Sequence, residues 1–297
     1  MPRAGEPTPG SLSIVLPAFD EAARIGPALD ELFGYLDATA PDATAPDATA
    51  PDATAPDATP APARLPPRIE VLVVDDGSRD ATASIVEARP ESARPADGPA
   101  ATLRLLRVPH AGKGSAVRAG MLAATGELEI FADADMATPP DQLPKLVAAL
   151  ASADVAVGSR IQPDGSDMRA SQPAIRRLLG RAFHALASIW VVGPVQDTQC
   201  GFKGFTREAA LDIFAEQRVT SIVFDVELIH LARRRGYRVA IVPIRWEDVR
   251  GSRMRARPAL ALRVAWDLFR IPLIHRGVRA VVRDPDLQPT ETTSNVA

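Results

Sequence analysis

The chain has one cysteine, three lysines and no apolar run long enough to span a bilayer. With Cys200 alone no intrachain disulfide can form, which suits a reducing cytosol. A spanning helix needs about 20 apolar residues in succession. Residues 185–195 fall short of that, and Arg263, Asp267 and Arg270 interrupt the C-terminal apolar stretch. Residues 1–10 hold no apolar core, so no signal peptide is expected and the chain is expected to be soluble or peripheral. A Gly-x-Gly-x-x-Gly after the first strand is also missing, which argues against a dinucleotide-binding dehydrogenase. Gly112-Lys113-Gly114-Ser115 is not a Walker A loop, because that motif needs Gly where Arg107 stands.

What is present is a chain of 297 residues, 46% hydrophobic, with a formal net charge of −3. That charge hides an asymmetry: between residues 232 and 280 thirteen arginines face only Glu247, Asp248 and Asp267. Arginine replaces lysine throughout the chain, but that bias does not explain the clustering, which suggests an anionic partner. Asp-Ala-Thr-Ala-Pro occurs at 37–41, 42–46, 47–51 and 52–56 and decays through Asp57-Ala58-Thr59-Pro60. A proline in every five residues opposes a helix, and the segment has nothing to bury. Residues 37–66 are therefore expected to be a disordered insertion, with disordered ends at 1–10 and 284–297.

Around the insertion, apolar strands at 11–16, 69–74, 103–108, 127–132 and 155–157 alternate with helical segments at 21–36, 82–88, 115–124 and 142–151. Such alternation predicts a doubly wound, mainly parallel α/β sheet whose ligands lie at the carboxyl ends of the strands. The polar motifs fall there. Asp133-Ala134-Asp135 follows an apolar strand; residues two apart share a face, so the two carboxylates can converge on a hard cation carrying phosphate oxygens. The alternative is that Asp135 merely opens the turn before the next helix. Val74-Asp75-Asp76-Gly77-Ser78 ends another buried strand, where a carboxylate serves a base or ribose, or where Ser78 or Asp80 caps a helix. Gly112–Ser115 offers a phosphate loop. The segment 197–203 is polar between apolar neighbours, and Asp225 and Glu227 open a helix, where negative charge is also favoured structurally.

Taken in order, Pro17-Ala18-Phe19-Asp20-Glu21, Val74–Ser78, Gly112-Lys113-Gly114 and Asp133-Ala134-Asp135 resemble glycosyltransferase family 2, with its GT-A fold. Gly158-Ser159-Arg160, Asp197-Thr198-Gln199-Cys200-Gly201-Phe202-Lys203 and Phe224-Asp225-Val226-Glu227 resemble its dolichyl-phosphate glucosyltransferase-like branch. The resemblance covers residues 12–254 and implies a catalytic domain at 11–255, followed by an amphipathic helical region at 256–283. It implies that Pro17, Phe19 and Glu21 line the base and ribose and that Asp76 reads the base. Lys113 and the Asp133-Ala134-Asp135 motif would meet the donor, with Asp133 and Asp135 holding Mg²⁺ or Mn²⁺ against the diphosphate. Arg160 and one of Arg176 or Arg177 would face the acceptor phosphate, Asp197 would be an active-site residue, and Arg253 in a Gly-Ser-Arg segment would close over the diphosphate. Two departures stand out: no membrane helix is visible, although branch members often carry them, and the repeat is not a family feature.

The activity so implied is inverting transfer of glucose from UDP-glucose to a polyprenyl phosphate on the cytoplasmic face of the cell membrane. GDP-mannose as donor, or a small soluble acceptor, is the nearest rival. A phosphate monoester with a second pKa of about 6 is largely dianionic at neutral pH and needs positioning more than deprotonation; arginines suit that task. An alcohol acceptor would need a base, and Asp197 is then the candidate. A processive synthase is disfavoured by the lack of Gln-x-x-Arg-Trp, and a nucleotidyltransferase by the lack of a glycine-rich loop at 11–21. A binding protein without catalysis is disfavoured by Asp76, Asp133, Asp135 and Asp197. Nucleic acid is not an expected partner, because Tyr237, Trp246, Trp266 and Phe269 form no evident stacking platform. The C-terminal helix is expected either to lie on the membrane with its arginines on anionic lipid or to pack on the core.

Overall fold

The computed structural model describes residues 10–39, 64–95, 98, 100–168, 187–192, 197–247 and 258–280, with the backbone alone at 188–189 and 258–262. Seven strands run as β1 (Ser11–Ala18), β2 (Arg68–Asp75), β3 (Thr102–Arg107), β4 (Leu128–Phe131), β5 (Val155–Ser159), β6 (Lys203–Thr206) and β7 (Val239–Pro243). The helices are α1 (Ile25–Thr39), α2 (Thr82–Glu87), α3 (Lys113–Ala123), α4 (Leu143–Leu150), α5 (Arg207–Glu216), α6 (Phe224–Arg235) and α7 (Pro258–Ile274).

The strands form one sheet in the order β3-β2-β1-β4-β6-β5-β7. All neighbours are parallel except β6, which runs antiparallel to both β4 and β5. Apolar runs such as 71–74 are buried at every position because helices cover both faces of the sheet. On one face Leu12, Ile14, Leu16, Val71 and Val73 meet Leu29, Leu32 and Phe33 of α1 and Leu146 of α4. On the other, Val15, Leu72 and Val74 meet Val117 and Met121 of α3, Phe214 of α5, and Phe224 and Leu228 of α6. This is the doubly wound, mixed and mainly parallel sheet expected from the sequence. Strand order reverses between β1 and β4, and ligands of such sheets bind in the crevice at that switch point.

Local chemistry sets the helix ends. In α1 the buried positions 25, 28, 29, 32, 33 and 36 follow the helical period. Thr206 caps α5 by accepting from the Ala209 N–H at 3.4 Å, and α6 stops at Gly236, left-handed at φ 82°.

Of the expected insertion at 37–66, the structure describes the two ends, 37–39 and 64–66. The first repeat unit lends Asp37-Ala38-Thr39 to α1, since none of the three is a proline. Asp37 is held there by both Nη1 and Nη2 of Arg94, at 3.0 and 2.9 Å. At the far end Leu65 packs on the core and Pro66 is buried. Residues 40–63 lie outside the described residues, as do 1–9 and the expected tail. Among the described residues no helix is long and apolar enough to cross a membrane.

Candidate active site

The crevice begins where β1 and β2 run out. Pro17 is half-buried in β1, paired with Val74, and the chain then turns through Phe19 and Asp20, whose φ is 53°. The 19–22 loop is tied to the loop after β2. Asp20 N–H donates to Ser78 Oγ at 2.9 Å, Glu21 N–H to Thr82 Oγ1 at 2.8 Å, and Asp20 Oδ1 accepts from Arg79 N–H at 2.7 Å. Phe19 stacks on His110, with ring centroids 4.1 Å apart and planes at 23°. Asp76, 2% exposed, spends its carboxylate on the turn after β3: it accepts from the N–H groups of Ala111 and Gly112 at 2.9 and 3.0 Å and meets His110 Nδ1 at 2.8 Å. Neither capping candidate is the cap residue of α2: Ala81 stands there without a side-chain cap, Asp80 just before it accepts from Thr82 N–H at 2.9 Å, and Ser78 Oγ accepts from Asp20 N–H. Gly112 sits at φ 102°, and a Cβ there would lie 2.9 Å from the Thr220 carbonyl oxygen, so only glycine fits and Lys113 can start α3 at the crevice.

The carboxylate pair lies on the turn just past β4 rather than in the strand. Its alternation persists: Ala134 and Met136 point into the apolar core while Asp133 and Asp135 point outward. Asp133 pairs with Lys113. Asp135 Oδ2 lies 3.6 Å from Arg24 Nη1, and Arg24 is itself gripped by both oxygens of Glu21 at 2.6 Å. Burial and the neighbouring Asp133 charge raise the Asp135 pKa above the usual carboxylate range, against the Ala137 N–H and Arg24. Burial opposes the Lys113 ammonium, but Asp133, Asp225 and Asp135 outweigh it and hold its pKa above the ordinary lysine value. Two carboxylates that repel each other have thus drawn two cationic side chains. Their chemistry also fits Mg²⁺ or Mn²⁺, which take one or two carboxylates and complete their shell with phosphate oxygens and water. Among the described residues no cluster of three potential ligands exists, so a cation here would depend on donor oxygens.

Across the crevice, Arg160 follows β5. Its Nε and Nη2 each donate to Asp197 at 2.7 Å, its backbone N–H donates to the same carboxylate at 3.0 Å, and its guanidinium lies 5.6 Å from the Trp246 ring centroid. Burial disfavours the charge, yet Asp197 carries the Arg160 pKa above its ordinary value, with Asp133 contributing. Both oxygens of Asp197 are therefore committed to Arg160. Gly201 presses backbone against Asp133: a Cβ there would stand 2.3 Å from Asp133 Oδ2. Below it Lys203, fully buried, donates to Asp225 and to the Cys200 carbonyl, pinning the 197–203 loop to the first turn of α6. Burial, then the Asp197 charge, push the Cys200 thiol up to about 12, which leaves it unreactive.

The structure thus places Pro17, Phe19, Glu21, Asp76, Lys113, Asp133, Asp135 and Arg160 at the carboxyl-end side of β1 to β5, with Asp197 joined to Arg160 and Ala134 turned into the core. Arg176, Arg177 and Arg253 lie outside the described residues. Sequence reasoning missed Arg24 and His110. His110 had one signal, its place in the turn before Gly112; Arg24 reaches Asp135 only through the tertiary fold.

The model of the family described as Glycosyl transferase family 2 matches residues 57–214. Dolichyl-phosphate beta-glucosyltransferase ALG5C of Trichomonas vaginalis is 36% identical over 294 residues, spanning 95% of this chain and 77% of the relative. The dolichyl-phosphate beta-glucosyltransferase of Drosophila melanogaster is 35% identical over 251 residues, 82% of this chain and 69% of the relative. Among solved structures, glucosyl-3-phosphoglycerate synthase from Mycobacterium tuberculosis in complex with UDP superposes with a TM-score of 0.55 at 19% identity, over 93% of this chain and 82% of that one, a likeness of fold. The chain belongs to glycosyl transferase family 2, in its dolichyl-phosphate glucosyltransferase-like branch, and has the GT-A fold of that family.

Proposed function

We propose that the protein transfers glucose from UDP-glucose to a polyprenyl phosphate, with inversion at the anomeric carbon. The observation that carries this reading is the convergence of Asp133, Asp135, Lys113 and Arg160 at the switch point of the sheet, in a chain whose relatives are dolichyl-phosphate beta-glucosyltransferases. Phe19 and His110 offer a flat stacked edge for a pyrimidine base, with Pro17 and Glu21 beside the ribose. Asp76 shapes the base pocket by fixing the 110–112 turn and is the residue assigned to the base.

Asp133 and Asp135 would hold Mg²⁺ or Mn²⁺, which supplies positive charge to the diphosphate leaving group. Lys113, freed from Asp133, turns its ammonium to the same diphosphate, and Arg253 is assigned to close over it. The acceptor phosphate, mostly dianionic at neutral pH, needs an oriented cation and no proton acceptor. Arg160 supplies that, fixed by its two-pronged bond to Asp197, and Arg176 is assigned to share the load. Asp197 is thereby a positioning residue for Arg160 and not a general base.

The test is a panel of UDP-glucose and GDP-mannose, each with Mn²⁺ or Mg²⁺, with and without polyprenyl phosphate or 3-phosphoglycerate, read as nucleoside diphosphate release. UDP release that requires polyprenyl phosphate is expected. Turnover only with GDP-mannose, or only with the soluble acceptor, would overturn the assignment.

A further inference from the structure

Helix α7 has two apolar faces where packing on a core requires one. Its inner face, with Leu268 and Ile271 fully buried, joins the core beside α6. Its outer stripe carries Trp266, Phe269 and Leu273 at helical spacing, 61%, 47% and 52% exposed. The short π-helical turn Ser188–Val192 extends this stripe: Trp190, 48% exposed, stacks on Phe269 at 5.7 Å with planes only 6° apart, and its indole N–H donates to the Phe269 carbonyl at 3.2 Å. Trp266 closes the cluster at 6.1 Å from Phe269. Three aromatic side chains packed together in the open, with Leu273 exposed one turn on, are an interaction surface.

Among the described residues of α7 and the turn after it, the exposed charges are of one sign. Arg263, Arg276 and Arg279 are exposed, and Arg270 lies beside the stripe. Asp267, the helix's acid, is buried and committed to Ser221 Oγ at 2.7 Å and to Arg270. Tryptophan joins an apolar body to a polar edge and concentrates at membrane–water boundaries. Apolar side chains ringed by arginine fit the headgroup boundary of an anionic bilayer. The stripe is also connected to the site. Ser221, held by Asp267, follows Thr220, whose carbonyl accepts from Gly114 N–H at 3.1 Å at the start of α3.

We infer that Trp190, Trp266, Phe269 and Leu273 form a docking surface that seats α7 on an anionic lipid bilayer and brings the crevice to that plane. The inference deepens the reading of a lipid-borne acceptor and rests on it for its purpose.

Its test is co-sedimentation of the full chain with phosphatidylcholine vesicles, with and without phosphatidylglycerol and free of polyprenyl phosphate, with tryptophan emission followed in parallel. Binding that requires phosphatidylglycerol, weakens with salt and shifts emission to the blue is expected. Trp266→Ser with Leu273→Ser should abolish it. Arg263→Gln and Arg276→Gln should each weaken it about fivefold. All should keep wild-type turnover of a short, water-soluble isoprenyl phosphate, which also reports that they fold. Negligible wild-type binding, or undiminished binding of the double variant, would overturn the inference. So would self-association of the wild type that the double variant loses, since the stripe would then be an interface between copies. Failure to bind vesicles while the short isoprenyl phosphate is glucosylated removes the docking surface alone. Vesicle binding without any glucosylation removes the acceptor reading alone.

Discussion

The Asp135 pKa is raised by burial and then by the charge of Asp133. Replacing Asp135 with Asn removes one proposed metal ligand and that repulsion together. The variant should fold as the wild type and lose at least about a hundredfold in kcat/KM for the donor, the scale of several kcal/mol of lost charge stabilisation. Normal turnover would remove the metal role. Gly201→Ala tests the same place from the backbone side. Its Cβ would stand 2.3 Å from Asp133 Oδ2, so the carboxylate must move, and Mn²⁺ affinity should fall about 10- to 100-fold, as for lost outer-shell support. Asp197→Asn separates positioning from base chemistry. It should lower kcat/KM for the acceptor while the acid limb of the pH profile, set near pH 6 by the acceptor phosphate, stays where it is. Loss of that limb would restore Asp197 as a base.

At the scale of elements, five of the seven strands, β1 to β5, were legible, while β6 and β7 were not read. Segments such as 71–74 are apolar at each position because both faces of a parallel sheet are covered. β6 was not legible. Lys-Gly-Phe-Thr has no apolar run, and a lysine at its start reads as a surface residue, yet Lys203 is fully buried and paired with Asp225. Removing one partner of such a pair leaves a buried charge behind. Lys203→Met should therefore cost about 3–5 kcal/mol of stability, measured by denaturant unfolding. A variant as stable as the wild type would show that the pair does not secure the loop. The D-x-D spacing was legible through its period of two, which outlasts the strand. Its partners Arg24 and Lys113 were not, because they arrive from α1 and α3 through the fold. Of the two readings of α7, packing on the core holds for one face, while the other face stands in the open.

For the whole molecule, one buried acid sets how stability responds to pH, and the insertion contributes little to stability. Glu129, fully buried in β4, is pushed up to about 8 by burial, against Arg207. In the folded chain it keeps its proton where the unfolded chain, near 4.5, has lost it. The folded state then binds more protons between these values, and stability falls as pH rises through that window. Glu129→Gln should flatten that fall in unfolding free energies measured from pH 5 to 8.5. An unchanged slope would place the titration elsewhere. The repeat should be dispensable once its first three residues are left in α1. Joining Thr39 to Arg64 through a short Gly/Ser bridge should leave Tm and turnover nearly unchanged, because each doubling of a flexible loop costs only about 0.6 kcal/mol. A cut that also removed Asp37 should be worse, since Arg94 would lose its partner.

The account turns on where the sugar goes. Purified protein incubated with Mn²⁺, UDP-[¹⁴C]glucose and polyprenyl phosphate in anionic vesicles, followed by organic extraction, reports that directly. Label in an acid-labile glucosyl polyprenyl phosphate is the result expected, absent with EDTA and absent with Asp135→Asn. Label that stays in the aqueous phase, with UDP released at the same rate whether or not the polyprenyl phosphate is present, would contradict it.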